Sequence, residues 1–424
     1  MNSISQDFLK RHGVMPGSFN PCEVAETMRE HMIQGLNGNI IDMPMIPTYL
    51  RSDGELPLGK KAVVIDAGGT NYRCALAEFN EEGCIITNLK KSSMPGTGSP
   101  VSWEEFISFV ADSIEPLLTE ADVIGFCFSY NVEITPEIDG IVNRVDKEVV
   151  IKDSSGKHLG ASLIAMLEKR GIYGKKVVIL NDTVAALFGG MSSLKRDEYS
   201  GFAGMICGTG VNTCTAVPVS SIGKLNIQSE GNMLINLESG LFNGIPQGDI
   251  DVLVDRESNN PGEKIMEKMS SGAYLGIICR AELNAAVEEG ILPGNIPEAL
   301  DGIQKIDGSV VDEWANGNDS HGIFSRKDME FVSEICRAIL QRSAACMCTN
   351  IIALMLLTDS GKTPEKPMCI CAEGSLISYS HEFRKTLLEL LDRYAAGEMK
   401  RYCRIAVGRD TTLPGSAFAV LLNT

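Results

Sequence analysis

The segment Val63-Val64-Ile65-Asp66-Ala67-Gly68-Gly69-Thr70-Asn71-Tyr72-Arg73 brings a carboxylate, two adjacent glycines and two side-chain donors into one short stretch. Glycines without Cβ atoms let backbone N–H groups approach an anion closely, Thr70 and Asn71 add donors, and Asp66 can hold a hydrated Mg²⁺ beside phosphates. A second stretch, Gly204-Met205-Ile206-Cys207-Gly208-Thr209-Gly210-Val211-Asn212-Thr213-Cys214-Thr215-Ala216-Val217, repeats the plan, with Gly208, Thr209 and Gly210 in the turn and Asn212 beyond it. The residues after each turn alternate with period two, so strand–turn–strand is expected in both places. That pattern excludes a dinucleotide fingerprint, whose third glycine opens a helix, and a P-loop, which needs Gly-Lys-Ser/Thr. Two such turns facing one another can hold a triphosphate from opposite sides. In an ordinary hairpin the same glycines would serve only φ > 0, and Asp66 would merely end a strand.

Between the turns, Lys176-Val177-Val178-Ile179-Leu180-Asn181-Asp182-Thr183-Val184-Ala185-Ala186-Leu187-Phe188-Gly189 reads as a strand ending in Asn-Asp, followed by a helix. Either Asn181 or Asp182 can cap that helix. A carboxylate at the C-terminal end of a strand in an α/β protein also stands where ligands bind, and there Asp182 can take a proton.

The chain resembles a hexokinase. The three segments above are similar to the family's first phosphate motif, its catalytic Asn-Asp-Thr motif and its second phosphate motif, in the family's order. Gly125-Phe126-Cys127-Phe128-Ser129-Tyr130 resembles the sugar-binding Gly-Phe-x-Phe-Ser segment, and Asn236-Leu237-Glu238-Ser239-Gly240-Leu241-Phe242 resembles Asn-x-Glu-x-Gly-x-Phe. The stretch Asn260-Pro261-Gly262 through Glu267-Lys268 to Ser271-Gly272-Ala273-Tyr274-Leu275-Gly276 also has its counterpart, as do Met45-Ile46-Pro47-Thr48-Tyr49 and Glu373-Gly374-Ser375-Leu376. The likeness covers nearly the whole chain. It implies the actin-like ATPase and sugar kinase fold: a two-lobed α/β protein with a duplicated, ribonuclease H-like mixed sheet and flanking helices.

The implied reaction is transfer of the γ-phosphate of MgATP to the 6-hydroxyl of a hexose, glucose being the expected acceptor. Asp182 would be the catalytic base. The resemblance implies sugar contacts from Ser129, Lys147, Asn181, Asp182, Asn212, Glu238 and Glu267. It implies phosphate or nucleotide contacts from Asp66, Gly68, Gly69, Thr70, Asn71, Arg73, Gly208, Thr209, Gly210, Gly374 and Ser375, with Asp66 reaching Mg²⁺ through water. Paired donors and acceptors suit a hexose, because an unmatched hydroxyl discriminates sharply between sugars. Without the resemblance, Glu267 is one more charged residue on a helix. The sequence also departs from the family. Val145-Asp146-Lys147-Glu148-Val149 stands where Trp-Thr-Lys-Gly-Phe is usual, keeping Lys147 but exchanging a hydroxyl for Asp146 and a glycine for Glu148, and Asn131 replaces a proline. These changes touch the sugar side, so phosphotransfer follows more directly than glucose as the preferred sugar. The alternatives are a different preferred hexose, a non-catalytic sugar sensor of the same fold, or an actin-like assembly or chaperone protein, which has no use for Ser129, Glu238 and Glu267 together.

The remaining sequence must position these groups. With 424 residues the chain can bury a large core, and a net charge of −17 argues against nucleic acid, leaving Arg73 and Lys147 as local sources of positive field. Thirteen cysteines, including Cys346-x-Cys348 and Cys369-x-Cys371, are expected to be reduced and mostly buried in a cytoplasmic protein, without metal ligation. No uninterrupted apolar run is long enough to span a membrane. Residues 61–180 are expected to form a small lobe, joined by a returning C-terminal segment, 414–424, and residues 1–60 and 181–407 a large one. Helical spacing covers Cys22 to Leu36, Trp103 to Thr119, Lys327 to Leu357 and His381 to Tyr394.

Overall fold

The computed structural model describes residues 1–145, 149–227 and 230–424. Both glycine turns are strand–turn–strand hairpins: Lys61–Gly68 runs into Asn71–Asn80, and Gly201–Cys207 into Val211–Pro218. Each hairpin sits in a sheet of the same plan. In the first sheet the strand order is Lys176–Leu180, Val123–Phe128, Lys61–Gly68, Asn71–Asn80, Gly83–Ser93. The first three strands are parallel and the later pairings antiparallel. The second sheet repeats this as Cys403–Val407, Met368–Glu373, Gly201–Cys207, Val211–Pro218, Asn232–Asn236, with the same succession of pairings, and adds Ile46–Pro47 at its edge. The central strand Lys61–Gly68 is apolar on both faces because both are covered, so Val63, Val64 and Ile65 are all buried.

The duplication extends to the helices. Lys176–Leu180 leads into the helix Asp182–Ser192, and Cys403–Val407 leads into Thr412–Asn423. These two helices pack together at close range. A Cβ on Gly415 would lie 1.8 Å from the Ala185 carbonyl oxygen, and one on Gly189 would lie 2.4 Å from that of Thr411. Any side chain there would separate the helices, and such overpacking costs about 1–3 kcal/mol or more. The apolar cluster around them includes Val64, Val184, Phe188, Cys369 and Phe418, drawn from both sheets. A Cβ on Gly125 would lie 2.3 Å from the Ser416 carbonyl oxygen, so the C-terminal helix also presses on the first sheet.

The expected helices form with local differences. Trp103–Ile114 ends in a tight turn over Glu115–Leu117, because Pro116 has no N–H with which to continue the ladder. The helix His381–Leu390 widens over Leu391–Glu398, where Met399 N–H reaches back to the Tyr394 carbonyl. Arg326–Leu357 is one continuous helix of 32 residues capped by Ser325. It contains a window long and apolar enough to cross a membrane by composition, and 89% of that window is buried inside the protein. All thirteen cysteines are free thiols, and all but the partly exposed Cys84 and Cys403 are buried.

Candidate active site

In the first hairpin, Gly69 and Thr70 form a two-residue turn in which Gly69 has φ +57°, so glycine is needed there for conformation. Among the described residues, the N–H groups of Gly69 and Thr70 meet no backbone or side-chain acceptor, and nothing stands within 4 Å of a Cβ on Gly69. Gly68 serves close approach: a Cβ there would lie 3.2 Å from Ser129 Oγ and 3.5 Å from Asp66 Oδ1. Asn71, at the start of the return strand, is exposed. Asp66 stands opposite Arg73 in the antiparallel register, and Arg73 Nε and Nη2 donate to Asp66 Oδ2 at 2.8 and 2.6 Å. Arg73 Nη1 also donates to Asp410 at 2.7 Å, in the segment entering the C-terminal helix. The structure therefore places Arg73 against carboxylates that flank the turn. Burial raises the Asp66 carboxyl above its usual range, the Arg73 guanidinium opposes the rise, and the charges of Asp182 and Glu373 add to it.

The second turn uses its glycines differently. Neither Gly208 nor Gly210 has positive φ; both leave room for neighbours. A Cβ on Gly208 would lie 3.1 Å from Ser375 N and 3.2 Å from Gly374 Cα, while one on Gly210 would lie 3.2 Å from Glu267 Oε2. The carbonyls of Gly208 and Thr209 take the N–H groups of Gly272 and Ala273. The amides of Thr209 and Gly210 have no acceptor among the described residues, which fits a phosphate cradle. Beside it lies a cavity of about 270 Å³. Thr209 and Ser375 line it together with Lys305, Asp307, Gly308, Ser309, Leu376 and Tyr379. The sequence reading missed that second group. Its signal is the capping pattern at the helix Gly308–Ala315, where Asp307 Oδ1 accepts from Ser309 N and Oγ at 2.9 and 2.6 Å.

Asn181 and Asp182 stand at the end of the edge strand of the first sheet. Asn181 does cap the following helix, its Oδ1 accepting Thr183 N–H at 2.9 Å. Asp182 Oδ1 accepts the same N–H at 2.7 Å and Thr183 Oγ1 at 3.2 Å. Both bonds use one carboxylate oxygen. Beneath the site, Cys127 is buried at 0% exposure; burial drives its thiol pKa up, and the charges of Asp66 and Asp182 add to the rise. Ser129 follows on the same strand end, 3.9 Å from the Cys127 sulfur.

On the second sheet, Asn212 Oδ1 accepts the N–H groups of Thr213 and Ser239 at 2.7 and 3.3 Å. Asn212 Nδ2 donates to Asn236 Oδ1 at 2.8 Å, and Asn236 Nδ2 donates to Glu238 Oε1 at 2.7 Å. Glu238 has φ +55°, a strained conformation for a residue other than glycine. Burial raises its carboxyl, the Asn236 bond opposes this, and the charges of Asp182 and Glu267 add to the rise. Glu267, on the helix Ile265–Ser270, rests on two glycines: a Cβ on Gly240 would lie 3.2 Å from its Cβ, and one on Gly210 would meet its carboxylate. The next residue, Lys268, is 2% exposed and bonds Asp255 Oδ1 at 2.6 Å and the Asn260 carbonyl at 2.7 Å, fixing the loop that precedes Glu267.

Ser129, Asn181, Asp182, Asn212, Glu238 and Glu267 are all half-buried, which suits residues lining a cleft. Lys147, Asp146 and Glu148 lie outside the described residues. Asn131 is exposed, its Oδ1 accepting from Asn143 at 3.0 Å. Tyr130, which the sequence singles out only as part of its segment, donates its hydroxyl to the Gly69 carbonyl at 2.5 Å and ties the Ser129 segment to the first glycine turn.

Two sheets of one plan, each offering a glycine turn beside acidic residues at a shared cleft, define the two-lobed sugar kinase and actin-like ATPase fold. The hexokinase from Schistosoma mansoni complexed with glucose superposes with a TM-score of 0.81 at 20% identity, over 99% of this chain and 98% of that one. A ROK family glucokinase from Streptomyces griseus, in complex with glucose and AMPPNP, gives 0.52 at 17% identity, over 85% and 99%.

The sequence comparisons are more specific. One hexokinase family model matches residues 202–422 and a second matches residues 18–192, so the chain belongs to the hexokinase family. Hexokinase-1 of Saccharomyces cerevisiae is 32% identical over 297 residues, which is 63% of this chain and 60% of the yeast protein. Hexokinase-7 of Oryza sativa subsp. japonica is 27% identical over 432 residues, covering 93% of this chain and 91% of the rice protein.

Proposed function

We propose that this protein transfers the γ-phosphate of MgATP to the 6-hydroxyl of a hexose, giving hexose 6-phosphate and ADP. One observation carries the assignment: the second glycine turn packs through Gly210 on Glu267, so the proposed phosphate and sugar sides adjoin in a chain that two hexokinase family models match. Glucose, bound by the Schistosoma enzyme of the same fold, is the first acceptor to test.

Each role follows from local chemistry. Thr209 and the amides of Gly69, Thr70 and Gly210, which have no acceptor among the described residues, offer donors to a polyphosphate, and Gly68 and Gly208 keep the turns close to Ser129 and Ser375. Asp66, held by Arg73, would receive the water shell of the substrate's Mg²⁺, which would supply positive charge to the phosphates. Gly374, Ser375 and the adjoining cavity would hold the nucleoside. Asn212, Glu238 and Glu267 from one side and Ser129, Lys147 and Asn181 from the other would match the sugar hydroxyls. Asp182 would accept the hydroxyl proton as the bond to phosphorus forms. Residues 61–180 with the C-terminal helix act as the small lobe and residues 1–60 and 181–407 as the large lobe, and the free thiols suit the cytoplasm.

A coupled ADP-release assay across glucose, fructose, mannose, galactose, glucosamine and N-acetylglucosamine tests the reading. ADP formation that requires one or more of these sugars is expected. Sugar-independent ATP hydrolysis, or none at all, would refute it.

A further inference from the structure

The helix Arg326–Leu357 carries an amide in its most apolar stretch. Asn350 is fully buried and is followed by the equally buried Ile351 and Ile352. A polar group in that position is costly unless it is bonded, and this one is bonded at both ends. Thr213 Oγ1 donates to Asn350 Oδ1 at 3.2 Å, and Asn350 Nδ2 donates to Ser239 Oγ at 3.0 Å. Thr213 and Ser239 are the two residues whose backbone N–H groups converge on Asn212 Oδ1. The amides of Asn212 and Asn350 therefore hold one pair of residues, the first through the backbone and the second through the side chains.

We propose that Asn350 is a positioning residue for the hexose. It fixes the separation between the strand Val211–Pro218 and the Glu238-Ser239 turn, and so aims Asn212 and Glu238 at the sugar. The proposal rests on those two residues being sugar ligands, as assigned above. A core helix needs only volume at this position, which leucine would supply without polar partners. The amide instead anchors the residue next to Glu238, whose left-handed backbone must be held by its surroundings. The bonds are neutral and buried, so they set a discrete register between the helix and the turn.

Asn350→Leu removes both bonds while keeping the number of side-chain heavy atoms. Hexose Kd, measured by calorimetry without ATP, and hexose KM should each rise about tenfold, while the ATP KM stays within about twofold. Ser239→Ala should also weaken hexose binding, and the double variant should bind hexose about as weakly as Asn350→Leu alone. Unchanged hexose affinity in folded Asn350→Leu, or strictly additive losses in the double variant, would overturn the proposal and leave Asn350 a packing residue. If Asn350→Leu does not fold, Ser239→Ala and Thr213→Val each remove one bond, and wild-type hexose affinity in both would have the same consequence. If the unmodified protein binds none of the six sugars, the functional assignment fails first and this inference falls with it.

Discussion

Gly210 and Glu267 meet directly: a Cβ on the glycine would lie 3.2 Å from the Glu267 Oε2 atom. The second glycine turn is thus packed on a proposed sugar ligand, and the absence of a side chain at Gly210 bears on both proposed substrate sites. Gly210 does not need positive φ, so alanine is conformationally acceptable and its effect must come from that contact. Gly210→Ala should raise the hexose KM by about fivefold or more with a smaller rise for ATP, read by steady-state kinetics on each substrate. A change confined to ATP would show that Glu267 yields without consequence.

Asp182 occupies the first turn of its helix, with one carboxylate oxygen engaged by Thr183. Asp182→Asn retains size and an oxygen that can accept those bonds while removing the proton acceptor. Turnover should fall about 10²-fold or more, with hexose Kd changed far less. Turnover near wild type in the purified variant would exclude Asp182 as the base.

What the sequence revealed follows from where its signals are local. The two turns and the Asn181-Asp182 corner each combine strand pattern, glycine and a polar residue within a few positions, and all three appear at the expected strand ends. The paired arrangement of the sheets was visible in the repeated strand–turn–strand plan. Glu267 is legible only through family resemblance, because a carboxylate on a short helix carries no signal of its own, whereas Glu238 also stands out as a carboxylate before Gly240 in an otherwise apolar stretch. Asn350 was hidden inside an apolar helical pattern, since periodicity reports which face is buried and says nothing of which hydroxyls will meet it. Arg73 was expected to supply positive field. Its cross-strand pairing with Asp66 follows from the hairpin register, which the two-residue turn determines.

A pH effect arises in the buried core. Arg342, on the long helix, bonds Asp251 and lies 3.7 Å from Glu282, and all three are buried. Burial pushes the Glu282 carboxyl from 4.5 up to about 8, with Asp251 and Asp249 adding to the rise and Arg342 opposing it. Between those values the folded protein keeps a proton that the unfolded chain has released, so stability is fully present at the acid end and declines as pH rises toward 8. Glu282→Gln removes that exchange at nearly constant shape. The wild-type Tm should therefore fall more steeply than that of the variant between about pH 5.5 and about pH 8.5, the curves separating by roughly 2 °C or more. Parallel curves would mean that Glu282 is already ionised throughout.

The proposed sugar ligands belong to different sheets. Ser129 follows the strand Val123–Phe128 of the first, whereas Asn212 lies in Val211–Pro218 of the second and Glu267 on a helix packed against that strand's turn. A hexose can satisfy all of them only if the sheets are held at one separation, so sugar alone should favour the closed arrangement. Closure would also exclude water that could attack the γ-phosphate, which gives the enzyme a reason to stay open until the acceptor arrives. Small-angle scattering should show a smaller radius of gyration with saturating hexose and no ATP, and ATP hydrolysis without sugar should be far slower than phosphorylation. Ser129→Ala and Glu267→Ala should each weaken the sugar-induced compaction, one from each side of the cleft. An unchanged scattering profile with a sugar that the enzyme turns over would show either that the cleft is already closed or that the ligands do not divide between the two sheets in this way.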